Sequence, residues 1–123
     1  MTSKKRVYIQ LLTTLWGLCI AMGTILRGTR IGAGLQTYGF AHFAMHFSVF
    51  VVFGLLLMFC FARPHIRMLA IGLAVIFGYS TELYEHLAFH GGMEYGDVLV
   101  DALGAITGGL VSLFPVMKGD VQT

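Results

Sequence analysis

Residues 38–61 read YGFAHFAMHFSVFVVFGLLLMFCF, a stretch without Asp, Glu, Lys or Arg. It is longer than the ~20 apolar residues an α-helix needs to cross a bilayer core. Its apolar positions are continuous rather than alternating, which argues against a strand and predicts a helix lying in lipid. Arg63-Pro64 closes the run, since proline disfavours helix in the residue before it. Working outward, Val7–Leu26 precedes this segment. Met68–Phe89 follows it and is stopped by Gly91-Gly92, and Asp97–Met117 comes last, with Pro115 near its end. Spans at about 7–26, 38–61, 68–89 and 97–117 predict an all-α fold: an integral membrane four-helix bundle, with residues 1–123 as one transmembrane domain.

Composition agrees. The chain is 57% hydrophobic and 11% charged, with a mean hydropathy of +0.80, whereas an ordinary soluble domain carries about 25% charged residues. A net charge of +2 with no sustained basic stripe excludes nucleic acid as a partner. Cys19 and Cys60 lie inside apolar runs, with no C-x-x-C or metal-type spacing. Lys4-Lys5-Arg6 before an apolar run resembles a signal peptide, but Val7–Leu26 is longer than the usual apolar core of one. A retained helix is the expectation. Basic residues set the orientation. A cytoplasmic N-terminus places Lys4, Lys5, Arg6, Arg63, Arg67 and Lys118 inside and only Arg27 and Arg30 outside. Four spans then make both termini cytoplasmic, in a multi-pass membrane protein.

Five of the six carboxylates fall between Glu82 and Asp101: Glu82, Glu85, Glu94, Asp97 and Asp101. Ionisable groups inside membrane helices are costly and commonly functional. On this topology His42 and His46 lie in the outer half of the second span, and Glu82, Glu85, His86 and His90 in the outer half of the third. Asp97 and Asp101 open the fourth. At 1.5 Å per residue, His46 and Glu82 sit roughly 12 Å inward from their helix ends and Asp101 roughly 6 Å. The pairs His42/His46, Glu82/His86 and Asp97/Asp101 each have the four-residue spacing that puts side chains on one helical face. Asp97, Asp101, Gly104 and Gly108 make one stripe, with a G-x-x-x-G that favours close helix packing, so the aspartates should face inward.

Each constellation carries two readings. Glu82-x-x-Glu85-His86 can bind a divalent metal or share a proton, or Glu82 can simply pair with a histidine or arginine and fix helix register. His42-x-x-x-His46 has a metal-helix spacing but lacks the glutamate of H-E-x-x-H, and His46 can instead be a structural partner of Glu82 or Asp101. Asp97 can cap the fourth helix, whereas Asp101, one turn deeper, needs a partner, a proton or a cation. Arg27 and Arg30 can hold an anionic headgroup or merely anchor at the interface. Glu94, Tyr95 and His90 read as solvated, and Trp16, Phe47, Phe50, Phe53 and Phe59 as lipid-facing or packing residues.

These same residues resemble the VanZ-like family of small membrane proteins. Its pattern has H-F in one helix, E-x-x-Q ending the next, and D-x-x-x-N-x-x-G after a loop with a basic residue. His46-Phe47, Glu82 with Glu85, and Asp97, Asp101 and Gly104 take up these positions, over roughly 42–110. The acidic residue before H-F is replaced by His42 and a neighbouring lysine by Phe43. Glutamine becomes Glu85, asparagine becomes Asp101, and the loop arginine is absent near Gly91. The resemblance implies a bacterial protein of the inner membrane with a cell-envelope role, similar to one associated with teicoplanin resistance. It does not imply a reaction.

The leading expectation is an outward-facing pocket that binds or modifies an anionic lipid-linked envelope precursor or glycopeptide-type molecule. Glu82 and Asp101 act as acid and base, with His46 orienting them. Arg27, Arg30, Glu85, Asp97 and His42 contribute binding. A divalent metal would be held by Glu82, His86, Asp101 and His46. The alternatives are a structural membrane protein whose polar cluster only fixes helix packing, and, behind it, proton- or cation-linked transport.

Overall fold

A computed structural model describes residues 1–27 and 39–113. The described chain is all-helical and has no strand: α1 (Ser3–Leu26), α2 (Phe40–Cys60), α3 (Pro64–Phe89) and α4 (Tyr95–Val111). Helices α1, α2 and α3 are each long and apolar enough to cross a membrane. Arg30, Tyr38 and the segment from residue 114 onward, including the expected end of the last span, lie outside the described residues.

The last two helices show how their ends are set, α3 finishing at Phe89 as expected. Helix α3 begins at Pro64, four residues before the expected Met68, with the extended Arg63 as its N-cap. Proline suits the first helical turn because its missing N–H has no partner there anyway. At its other end α3 closes on His90, in the left-handed conformation (φ 55°, ψ 23°), one residue before the expected glycines. Helix α4 starts at Tyr95 with Glu94 at the N-cap. Asp97 therefore sits inside the first turn and does not cap the helix.

The helices run up and down. Trp16 Nε1 donates to the Val49 carbonyl (3.1 Å) and Gln10 Nε2 to that of Cys60 (3.3 Å), so α1 and α2 are antiparallel. Gly78 lies against Asp101 and Gly109 against Ile71, so α3 and α4 are also antiparallel. Helices α2 and α4 run parallel, with His42 beside Asp97, His46 beside Asp101 and Val51 beside Gly108. Theirs is the most extensive contact in the bundle. A Cβ on Gly104 would stand 2.6 Å from the Phe47 carbonyl oxygen. Cβ atoms on Gly108 and Gly54 would run into the carbonyl oxygens of Val51 and Ala105. Only glycine admits such backbone contact, the usual device for joining helices in lipid.

Burial is inverted relative to a soluble domain. Leu11, Leu15, Leu18, Leu69, Leu73 and Leu103 are exposed around the bundle, while the largest fully buried side chains are Asp97 and Asp101. A small apolar core of Phe50, Phe53, Ala74 and Ala105 fills the centre. A surface of this kind suits hydrocarbon, where apolar side chains outside cost nothing and polar groups must be satisfied within.

Candidate functional site

The polar residues gather at one end of the bundle, where α1 and α3 finish and α2 and α4 begin. Two rungs join α2 to α4. A ring nitrogen of His42 (Nε2) lies 2.7 Å from Asp97 Oδ2, and His46 Nδ1 lies 2.9 Å from Asp101 Oδ1. Both pairs are separated by the same number of residues, so one parallel register sets both. The rungs repeat because each helix brings residues four apart to one face. His46 Nε2 also stands 3.9 Å from Asp97 Oδ2, and His42 Nε2 stands 3.8 Å from Glu94 Oε2.

Helix α3 supplies Glu82, only 3% exposed. Its carboxyl has no hydrogen bond among the described residues. Asp101, 1% exposed, uses Oδ1 for His46 and leaves its buried Oδ2 without a partner. That oxygen faces α3 at Gly78, where an added Cβ would lie 3.2 Å away. At the rim, Arg27 bonds Glu85 and stands 3.9 Å from Glu94. The Arg27 charge is thus taken up by two carboxylates of the protein itself. Glu94, outside the helices, has its pKa raised from the ordinary 4.5, chiefly because the neighbouring Asp97 carboxyl hydrogen-bonds to its protonated form.

These groups line a cavity of about 760 Å³ to which all four helices contribute. Trp16, Ile20, Val49 and Phe50 add apolar surface to the same lining. Of the residues singled out from sequence, the fold brings His42, His46, Glu82, Glu85, Asp97, Asp101 and Arg27 to this cavity. His86 is not brought there. It is exposed, and its Nδ1 lies against the Gly91 carbonyl. Each residue turns a helix by about 100°, so Thr81, Glu82 and Glu85, which line the cavity, fall on one side of α3 and His86 projects about a quarter-turn away. Arg30 lies outside the described residues.

Two residues take part in the cavity beyond what the sequence indicated. Glu94, read as a solvated loop residue, is exposed and outside the helices, and it also lines the cavity and groups with Glu82 and Asp97. The signal was its position three residues before Asp97, one helical turn up. Trp16, read as packing or lipid-facing, forms part of the wall and ties α1 to α2. No local pattern announces that role, because it depends on where α1 docks.

Fold and site together define a helical membrane protein with a polar pocket at one end. No protein-family model matches the chain, and neither the curated proteins nor the solved structures contain a match.

Proposed function

We propose that the chain is a bacterial inner-membrane protein whose outward-facing pocket binds or modifies an amphipathic cell-envelope molecule. The ligand class is a lipid-linked precursor or glycopeptide-type compound. The observation that carries this reading is the mixed lining of the cavity, in which apolar side chains stand beside ionisable ones. A ligand with a hydrocarbon part and a polar head fits such a lining: apolar surface supplies affinity and a few placed polar groups supply orientation. Glu82 and Asp101 act as acid and base, and His46, fixed by Asp101, orients the reacting group. Among the described residues, five carboxylates face one arginine and two imidazoles here, so a bare anion is disfavoured. Headgroups rich in hydroxyl or ammonium donors, or anions bridged by a cation, are the ones admitted.

The resemblance to VanZ-like proteins belongs to the same proposal. In its support, four of the positions that carry it, His46, Glu82, Asp97 and Asp101, converge on this cavity. The topology proposed is four spans with both termini cytoplasmic, the excess of basic residues lying on that side. One observation favours a structural reading instead: the closed His42–Asp97 and His46–Asp101 pairs hold α2 on α4 without any ligand.

Gly23 offers a direct test, since it lines the cavity and a Cβ there meets nothing within 4 Å. Gly23→Phe should plug the space while the helices still pack. Mass spectrometry of protein purified from nanodiscs, loaded with anionic lipids with and without sugar headgroups, should show an amphiphile retained by the native chain. The variant should hold it at least tenfold less. Equal retention by both would remove the pocket reading. A reporter fused to the C-terminus should behave as cytoplasmic, and an external signal would reverse the topology.

A further inference from the structure

Among the described residues, no lysine or arginine pairs with the two buried acids of the pocket, Glu82 and Asp101. Arg27, which lines the pocket, is engaged by Glu85 at the rim. Asp101 Oδ2 is both buried and unpartnered, on a side chain only 1% exposed. In a low-dielectric surrounding, two such carboxylates persist by holding a proton or a cation.

We propose that His46, Glu82 and Asp101 form a binding site for one divalent metal ion. Three helices each contribute one donor, and the three donor atoms lie within 4.8 Å of one another. Small side-chain rotations from that spacing close a coordination sphere of roughly 2.1 Å bonds. Charge balances as well, since a neutral imidazole and two carboxylates carry a charge of minus two, which a divalent ion cancels. Asp97 supports the site from outside: it stands 3.9 Å from His46 and holds His42, the kind of outer partner that fixes a ligand's orientation. Gly78 permits the approach of α3, because a side chain there would press on Asp101 Cβ at 3.0 Å.

The donor set also selects the ion. Calcium and magnesium prefer all-oxygen shells, whereas a mixed imidazole–carboxylate set suits zinc, manganese or ferrous iron. Three protein donors leave coordination positions open towards the cavity, where an anionic headgroup can complete the shell. This last role rests on the pocket reading above; the ion site does not.

The test uses full-length protein in detergent, stripped with EDTA and titrated with Zn²⁺, Mn²⁺ or Co²⁺ alone. One ion per chain should be retained after dialysis, and bound Co²⁺ should show the visible bands of a nitrogen–oxygen shell. Excess Mg²⁺ or Ca²⁺ should not displace it. Glu82→Gln and Asp101→Asn, which keep side-chain volume, should weaken binding at least 30-fold, while His86→Gln should bind as the native chain does. Absence of a stoichiometric ion in the native protein overturns the site, whatever the variants do. Undiminished affinity in a folded Glu82→Gln chain overturns the assignment of ligands. Metal binding lost while Gly23→Phe still controls amphiphile retention sinks only the ion. Metal bound while Gly23→Phe changes nothing sinks only the pocket.

Discussion

The seam between α2 and α4 is built in two ways along its length. At one end Gly104, Gly108 and Gly54 bring backbone against backbone, with carbonyl oxygens of Phe47, Val51 and Ala105 filling the space a side chain would take. At the other, the same stripe of α4 carries Asp97 and Asp101, and whole side chains, His42 and His46, stand between the helices. Glycine brings backbones into contact, and a histidine–aspartate pair joins the helices through side chains. One face of α4 therefore carries backbone contact at one end and polar side-chain pairs at the other, where the cavity lies. The contrast shows how a short membrane bundle makes a pocket without a loop insertion: it changes the residue size along one seam.

The glycine end is the more sensitive half. Gly108→Leu puts a side chain onto the Val51 carbonyl, a backbone atom that cannot step aside, and should cost roughly 3 kcal/mol or more. Size-exclusion profiles and thermal melting in detergent would reveal it; a native-like melting point would show that the contact is not required. At the polar end the rungs should matter less to stability. A double-mutant cycle on His46→Ala and Asp101→Ala should give a coupling of about 1 kcal/mol, the usual scale for such bonds in membranes. A coupling near zero would mean that the rung spaces the helices without holding them.

The rim should respond more weakly again. Arg27→Ala removes a pair whose side chains are 28% and 15% exposed, and a loss of about 0.5 kcal/mol is expected, with melting falling further at low salt than at high salt. The smallest effect concerns Glu94. Its pKa is raised above 4.5, so the folded state holds that proton more tightly than the unfolded one. The stabilisation is full below the ordinary glutamate pKa and is lost as pH rises through the raised value. Glu94→Gln should flatten the dependence of melting temperature on pH in that window, and an unchanged profile would place the titration elsewhere.

Much of this contrast was legible before the fold was known. The apolar lengths of α1, α2 and α3 marked them as membrane helices, because a bilayer demands long uncharged runs whatever they pack against. The four-residue spacing of Asp97, Asp101 and Gly108 placed acid and glycine on one packing face, since helical periodicity is a local property. Other features depended on how the helices dock. Spacing alone paired Glu82 with His86, yet the pocket meets α3 on the side of Glu85, and only the docking of neighbouring helices chooses that side. Arg27 was read as either a hold on an anionic headgroup or an interfacial anchor. The fold sets it beside Glu85, from a helix distant in sequence.

The sequence by itself determined that this protein is helical, that it belongs in a membrane, and that acids, histidines and glycines share faces within each helix. Tertiary structure decided which faces meet. The parallel register of α2 and α4 turned His42 and His46 into partners of Asp97 and Asp101. The approach of α3 buried Glu82 beside Asp101, one oxygen of which has no hydrogen-bond partner among the described residues. Periodicity orients a side chain about its own helix axis. What stands opposite it depends on how closely two helices approach, and glycines far along the seam control that distance.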